Sequence, residues 1–438
     1  MAKEKPQVLK GMRDFLPQQM IARNYVIGVA RRVFESFGFE PLDTPSIEYA
    51  EVLMGKYGPE ADRLLYSFED RGGRRVGLRY DLTVPLARFV ASHPELTRPF
   101  KRYQIGNVWR GEAPQEGRYR EFTQCDVDIV GAPPPAADAE VAAVFYAVYH
   151  ALGLDDVLVR LNHRQLLASA ARVSGVPDPL HAAAFRGIDK LDKAPVETVK
   201  AEMAAAGIEP GSASRLLELT GLRIVGNDVS EARAYLAGDT EGLAALDEMA
   251  RVIDLLDGMG VPTANYLLDL SLARGLDYYT GPIVEATLPG FRSSVGGGGR
   301  YDNLVGMFGA APVPTVGASV GLDRIVLVLE KRGKLPAQKT VTDVLVTVFN
   351  SSMRKDSLSL AAELRQAGLM VETFLLDRGL GKQFAYADTR GIPYAIVLGP
   401  DELAEGTVSV KDLVAGDQVR LSRTEIADHV RRKKGIDG

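Results

Sequence analysis

The sequence predicts an α+β domain with a mainly antiparallel sheet flanked by helices, broken by a helical insertion and followed by a C-terminal α/β domain with a mainly parallel sheet. Three observations carry this expectation. Strand-like runs joined by glycine-bearing turns crowd residues 66–130. Residues 175–258 are rich in Ala, Glu and Leu at helical spacing and hold little that reads as strand. From 344 to 398 strand and helix patterns alternate regularly, the mark of strands paired in parallel through helical crossovers. A chain of 438 residues also exceeds what one core of ordinary size organises, so two or three domains are expected.

Taken in order, Lys10-Gly-Met-Arg-Asp-Phe-Leu-Pro17 opens as a loop. Val26, Val29, Val33 and Phe37, three and four apart, then predict a helix that Gly38 ends. Segments 66–68 and 76–78 flank Asp70-Arg-Gly-Gly73, a hairpin whose turn needs its glycines. Segments 103–109 and 122–129 form an antiparallel pair around a polar, basic loop with Pro114 and Gly117. Prolines 133–135 precede a helix over 138–150, and strand alternation resumes at 268–272 and 283–287. Residues 319–330, nearly all apolar, read as a buried helix carrying Asp323 and Arg324. A Lys/Gly/Pro-containing linker at 331–338 leads to strands 344–349, 370–374 and 394–398, with helices 358–367 and 381–389 between them.

Composition narrows the function. Charged residues at 25% and hydrophobic ones at 46% are those of an ordinary globular protein. The start lacks the apolar core of a signal peptide, and no run approaches the ~18 apolar residues of a membrane span, so a cytoplasmic protein without membrane contact is expected. A single cysteine, Cys125, rules out an intrachain disulfide, and five scattered histidines argue against a zinc site. The net charge of −5 gives no global attraction to nucleic acid, although residues 98–120 hold six Arg or Lys against Glu112 and Glu116. There is no Gly-x-x-x-x-Gly-Lys-Ser/Thr loop, no Gly-x-Ser-x-Gly elbow and no Gly-x-Gly-x-x-Gly turn. The four glycines 296–299, taken alone, mark a strand whose backbone packs closely or approaches a ligand. Arg79, Arg110, Arg118, Arg274 and Arg324 all fall on predicted strands or at a helix start. The guanidinium fork suits carboxylate and phosphate alike, so together they suggest an anion site.

Phe100-Lys-Arg-Tyr-Gln-Ile-Gly-Asn-Val-Trp-Arg110-Gly-Glu112, continued by Gly117-Arg118-Tyr-Arg-Glu-Phe-Thr-Gln124-Cys-Asp-Val-Asp128, resembles motif 2 of class II aminoacyl-tRNA synthetases in its histidyl form. Gly321-Leu-Asp-Arg324 is similar to motif 3, and the region from Gly11 to Pro45 resembles motif 1. Leu272-Ala-Arg274-Gly-Leu-Asp-Tyr278-Tyr279-Thr-Gly281 is similar to the peptide that sets the histidyl family apart. The likeness extends into the tail, through Leu380-Gly-Lys-Gln-Phe384 and Gly399-Pro-Asp-Glu402. It implies a class II synthetase fold over 1–330, with motif 1 at about 11–45, motif 2 at about 100–130, motif 3 at about 315–330 and the helical insertion at 170–260. Residues 341–438 would be an anticodon-binding domain, and motif 1 would pair two chains as a homodimer.

The implied activity is activation of L-histidine with ATP and Mg2+ to histidyl-adenylate and pyrophosphate, then transfer to the 3′ end of histidine tRNA. The histidine carboxylate is itself the nucleophile, so the protein's work is positioning and neutralisation of phosphate charge. By the resemblance, Arg110 holds the α-phosphate, Arg324 the γ-phosphate and adenine face, and Glu112 lies near the adenine. Arg118 joins the ATP site, and Arg274 sits opposite at the α-phosphate in place of a metal; the protein supplies no metal ligands of its own. Asp81, Leu82, Thr83 and Gln124 would bind the α-ammonium group. Gln124 and Asp128, four residues apart on one strand, share a face. Asp128 would accept from one imidazole nitrogen and Tyr279 would satisfy the other, with Tyr278 lining the pocket. One departure is Leu78-Arg-Tyr-Asp81-Leu-Thr83, where many bacterial relatives carry Leu-Arg-Pro-Glu-Gly-Thr. The shorter aspartate leaves the ammonium geometry open. The competing reading is the non-catalytic, histidine-binding regulatory subunit of ATP phosphoribosyltransferase. Such proteins usually lack the tail and lose signature residues, whereas this chain has the tail, Arg274 and both tyrosines.

Overall fold

The structure, a computed structural model, describes residues 6–56, 62–191, 194–273, 278–291 and 293–433. The chain divides into two compact units, Met1–Asp14 with Tyr25–Lys334, and Phe15–Asn24 with Leu335–Gly438. Helix α1 (Pro17–Ser36) buries Val26, Val29, Ala30 and Phe34. Its stripe drifts from the one expected: Phe34 is fully buried, while Val33 and Phe37 are only half so. Gly38, at φ +75°, releases the chain from the helix.

A small sheet, ordered β2-β4-β3, joins β2 (Ile47–Tyr49), β3 (Ser67–Glu69) and β4 (Arg75–Leu78). The main sheet uses β1 (Glu40–Pro41), β5 (Phe100–Trp109), β6 (Glu121–Val130), β7 (Leu158–His163), β8 (Arg223–Ile224), β9 (Tyr266–Asp269), β10 (Pro282–Thr287), β11 (Gly296–Arg300) and β12 (Thr315–Gly321). Among the described residues these nine stand in the order β1-β5-β6-β12-β11-β10-β7-β9-β8. β1 pairs with β5, and β7 with β9, in parallel; the other neighbours are antiparallel. Helix α2 (Thr83–Ser92) follows β4, and α3 (Ala136–Ala151) packs against β12 through its apolar side. Between β7 and β9 run α4 (Arg164–Val173), α5 (His181–Asp189), α6 (Val196–Ala205), α7 (Pro210–Thr220), α8 (Ser230–Tyr235) and α9 (Thr240–Gly258), with β8 among them. Strand β8 departs from the all-helical expectation for this stretch by pairing onto β9 at the sheet edge.

Two expected boundaries move. The strand expected over 268–272 ends at Asp269, because the Asp269 carboxylate accepts from Ser271 N (3.0 Å) and Oγ (2.7 Å), while Leu272 N bonds the Asp269 carbonyl (2.9 Å), turning the chain. Residues 319–321, read as helix, complete β12, and α10 (Leu322–Lys331) starts only at Leu322. That helix is not apolar all round: it buries Leu322, Ile325, Val328 and Leu329 and turns Asp323 and Arg324 to one side.

The tail unit is a five-stranded sheet ordered β14-β13-β15-β16-β17. Its strands are β13 (Val344–Val346), β14 (Val371–Thr373), β15 (Tyr394–Val397), β16 (Thr407–Asp412) and β17 (Gln418–Ser422). β13 runs parallel to β14 and β15, whereas β16 pairs antiparallel with both β15 and β17, so the sheet is mixed rather than mainly parallel. The second half was missed because its strands are joined by a five-residue loop, 413–417, and not by a two-residue turn: Asp412 Oδ1 organises it by accepting from Val414 N and Ala415 N, each at 2.9 Å.

Candidate active site

β6 is the site's floor. Gln124, Asp126 and Asp128 alternate onto one face, as the two-residue period of a strand requires. The register sets Gly106, Gln104 and Arg102 of β5 beside them on one flank, and Gly321, Ser319 and Gly317 of β12 on the other. The glycines are structural necessities: a Cβ at Gly317 would sit 1.8 Å from Asp128 Oδ1, and one at Gly298 would sit 2.1 Å from the Gly317 carbonyl oxygen. The glycine run 296–299 is accordingly strand β11 in close backbone contact, with Gly296 and Gly297 bordering a cavity of about 230 Å³ above the floor.

One end of that cavity is acidic. Asp81, Asp126 and Asp128 all line it and are buried. Asp81 Oδ1 accepts from Thr83 N (3.1 Å) and Val84 N (3.0 Å), the first amides of α2, and Oδ2 accepts from Tyr278 Oη (3.2 Å). A helix start favours a carboxylate there. Asp128 is paired with the fully buried Arg102 (2.8 Å) and accepts from Tyr301 Oη. Burial pushes Asp128 above the usual carboxylate range, with Arg102 and Tyr301 holding it back. Burial likewise pushes Asp126 up to about 7, opposed by Arg102 and reinforced by the neighbouring Asp128 charge. Burial and the fields of the three aspartates raise Tyr279 well above an ordinary phenol, so it stays a hydrogen-bond donor. The amide of Gln124 directs Nε2 to Ser319 Oγ (3.1 Å), while its Oε1, buried, has no partner among the described residues.

The opposite end is basic. Arg110 Nε donates to the Tyr80 carbonyl (3.0 Å), and its plane lies over the Tyr80 and Phe122 rings at 4.4 and 5.0 Å. Arg118 pairs with Glu112 at 3.2 Å. Arg324 is held by the carbonyls of Ser294 (2.6 Å) and Gly117 (3.3 Å). Burial, followed by repulsion from Arg118 and Arg110, lowers its pKa. Arg324 does not pair with Asp323, which instead meets Arg13 at 2.6 Å. The Arg13 guanidinium also stacks on Tyr119, and Arg120 N bonds the Gly11 carbonyl at 2.8 Å, so the N-terminal loop braces the loop between β5 and β6.

Of the residues expected in the site, Asp81, Thr83, Arg110, Glu112, Arg118, Gln124, Asp128, Tyr278, Tyr279 and Arg324 border this one cavity. Leu82 does not: its side chain is completely buried, and what it offers is a carbonyl to Arg102 (3.2 Å). Arg79 is set apart as well, its guanidinium spent on the carbonyls of Asn107 and Thr44. Arg274 lies outside the described residues. Asp126, Arg102, Ser319 and Tyr301 were not foreseen. The parity that linked Gln124 to Asp128 already included Asp126, whereas the other three depend on strand register, which a sequence does not display.

A cavity acidic at one end and triply cationic at the other, on an antiparallel sheet, suits an enzyme that sets a zwitterionic amino acid against a polyphosphate, as the aminoacyl-tRNA ligases do. The comparisons make this particular. The family model described as histidyl-tRNA synthetase matches residues 11–325, and that of an anticodon binding domain matches 343–433. The histidine–tRNA ligase of Rhodopirellula baltica is 44% identical over 414 residues, 93% of each chain. That of Aeropyrum pernix is 43% identical over 99% of each. The crystal structure of histidyl-tRNA synthetase from Nostoc sp. PCC 7120 superposes with a TM-score of 0.88 at 33% identity, covering 98% of this chain and 100% of that one. The chain belongs to the histidyl-tRNA synthetase family. Its activity is that of an aminoacyl-tRNA ligase for histidine, and near-complete coverage by ligases, tail included, does not favour the regulatory-subunit reading.

Proposed function

We propose that histidine lies along the cavity with its carboxylate toward the arginines and its ammonium and imidazole among the aspartates. The observation that carries this reading is the segregation of charge: Asp81, Asp126 and Asp128 with Arg102 at one end, Arg110, Arg118 and Arg324 with Glu112 at the other. In this reading Asp81, Thr83 and the partnerless Gln124 Oε1 receive the ammonium. Asp128 accepts from one imidazole nitrogen, and the Tyr279 hydroxyl, kept protonated, donates to the other. Tyr278 holds Asp81 in place. A pocket built on such paired bonds discriminates strongly, because an analogue lacking either group leaves buried polar atoms unmatched.

ATP would place its α-phosphate on Arg110, whose ring-clamped plane is already oriented, and its γ-phosphate on Arg324, with Glu112 near the adenine. Three neighbouring guanidinium groups with one carboxylate between them repel one another until an anion arrives, which favours a polyphosphate and the charge developing on it. Mg2+ would enter with ATP as part of the substrate. Arg274 would meet the α-phosphate from the far side. The carboxylate oxygen of histidine attacks the α-phosphorus and pyrophosphate leaves; the terminal ribose hydroxyl of tRNA then attacks the carbonyl carbon of the adenylate, forming the ester, losing its proton and releasing AMP.

For tRNA we assign loop 113–120 to the acceptor end and residues 341–438 to the anticodon, with residues 1–330 as the catalytic domain. We place a second copy of the chain against motif 1, about residues 11–45, with the small sheet that follows it, where Ile47, Tyr49 and Phe68 are about half exposed, at the margin of that contact. A cytoplasmic location accords with a tRNA substrate; among the described residues no helix is long and apolar enough to cross a membrane. The test is pyrophosphate exchange into ATP with Mg2+ and each amino acid in turn. Exchange should require histidine and collapse in Arg274→Ala; exchange indifferent to histidine would overturn the reading.

A further inference from the structure

Asp126 contributes charge to the reading above but is given no contact with histidine there, yet it lies at the centre of the acidic end, between Gln124 and Asp128 on β6 and opposite Ser319 on β12. Gln124 Nε2 points to Ser319 Oγ at 3.1 Å and toward Asp126 Oδ1 at 3.4 Å. Ser319 stands directly across the β6–β12 register from Asp126, and its hydroxyl opposes the rise that burial gives the Asp126 pKa. When Asp126 is ionised, as above about pH 7, its carboxylate can only accept, and a Ser319 hydroxyl turned toward it gives its proton away and can only accept from anything else. In that state both neighbours require N–H from Gln124, and its other end, Oε1, is buried with no donor among the described residues. Reversing the amide would put two N–H groups where a cationic ammonium is to sit.

We propose that Asp126 is a positioning residue: with Ser319 it fixes the Gln124 amide with its oxygen toward the cavity, so that the site accepts a protonated amine. The proposal rests on the histidine-site reading above and adds a residue to it. The groups facing Asp126 are Arg102 from β5, Asp128 and Gln124 from β6, Ser319 from β12, Asp81 from the turn before α2, and Tyr279. Asparagine at 126 satisfies either amide orientation and removes the charge, so Asp126→Asn releases the lock without changing shape.

The test compares two probes on the full-length protein by titration calorimetry: L-histidine and 3-(imidazol-4-yl)propionate, the same molecule without its amino group. Asp126→Asn should weaken histidine by about fivefold or more, the scale of one hydrogen bond to a charged group, and change the propionate by less than about twofold. Ser319→Ala, which removes one acceptor and keeps the charge, should weaken histidine less, again sparing the propionate. Equal loss on both probes in both variants would mean a structural role and overturn the proposal. If Gln124→Ala weakens histidine while Asp126→Asn does not, the lock alone falls; if neither does, the ammonium assignment falls with it.

Discussion

Missing Cβ atoms decide much of the chemistry at the scale of single residues. Asp128 can stand upright beside Arg102 only because position 317 has no side chain. Gly317→Ala should force the carboxylate aside, raising the KM for histidine in pyrophosphate exchange about tenfold or more, with the ATP KM little changed; overpacking of this kind also costs ~1–3 kcal/mol of stability. An unchanged histidine KM would show that Asp128 is not held where histidine needs it. Asp126 gives a pH signature. Its folded pKa of about 7 stands above the ordinary value near 3.8, so the folded protein binds the extra proton. The stability linked to that proton is complete below the ordinary pKa and lost as pH rises through about 7. Without histidine, Asp126→Asn should therefore melt higher relative to the parent at pH 8 than at pH 5; an offset independent of pH would contradict the burial argument. Asp81 and Asp128 were legible through the likeness of their peptides to the family's motifs, and strand alternation, a local rule, added that Gln124 and Asp128 share a face. Arg102, Ser319 and Tyr301 were not, because they reach the site through neighbouring strands and loops.

Secondary-structure elements explain both what the sequence made legible and what it hid. The long helices and the β5–β6 pair follow from periodicity. The end of β12 does not: Ser319, Val320 and Gly321 continue in apolar company into α10, and only sheet pairing with β6 separates strand from helix. In the helical stretch, α9 is capped by Asp239, whose carboxylate accepts from Gly242 N (2.7 Å) and Ser169 Oγ (3.0 Å) and pairs with Arg172 (3.0 Å). Asp239→Ala should lower stability by ~1–2 kcal/mol, read by thermal or denaturant unfolding, through loss of a helix cap and of the tie to α4. The hydrogen bond to Arg172 lowers the Asp239 pKa, so its contribution is present above the ordinary carboxylate pKa and fades as pH falls through the depressed value. Asp239→Asn, which can still cap, should cost less than the alanine change; equal losses would assign the whole effect to the ion pair.

Over the whole chain, we assign amino-acid activation to residues 1–330 and tRNA recognition chiefly to residues 341–438, so their contributions should separate in experiment. At the carboxyl ends of the parallel strands β13 and β14 the tail unit exposes Phe349, whose ring is suited to stacking on an unpaired base, together with the apolar Leu375 and Leu376. Phe349→Ala should lower kcat/KM for tRNA charging several-fold while pyrophosphate exchange stays the same; loss of both would place the tail's effect on folding. The most direct test of the two-ended cavity is crossed kinetics in pyrophosphate exchange, with histidine and ATP varied separately in Asp128→Asn and Arg324→Ala. The account predicts that Asp128→Asn raises the histidine KM and leaves the ATP KM near its parental value, and that Arg324→Ala does the reverse. Variants that shift both constants alike, or shift the opposite one, would contradict the placement of histidine at the acidic end and ATP at the basic end.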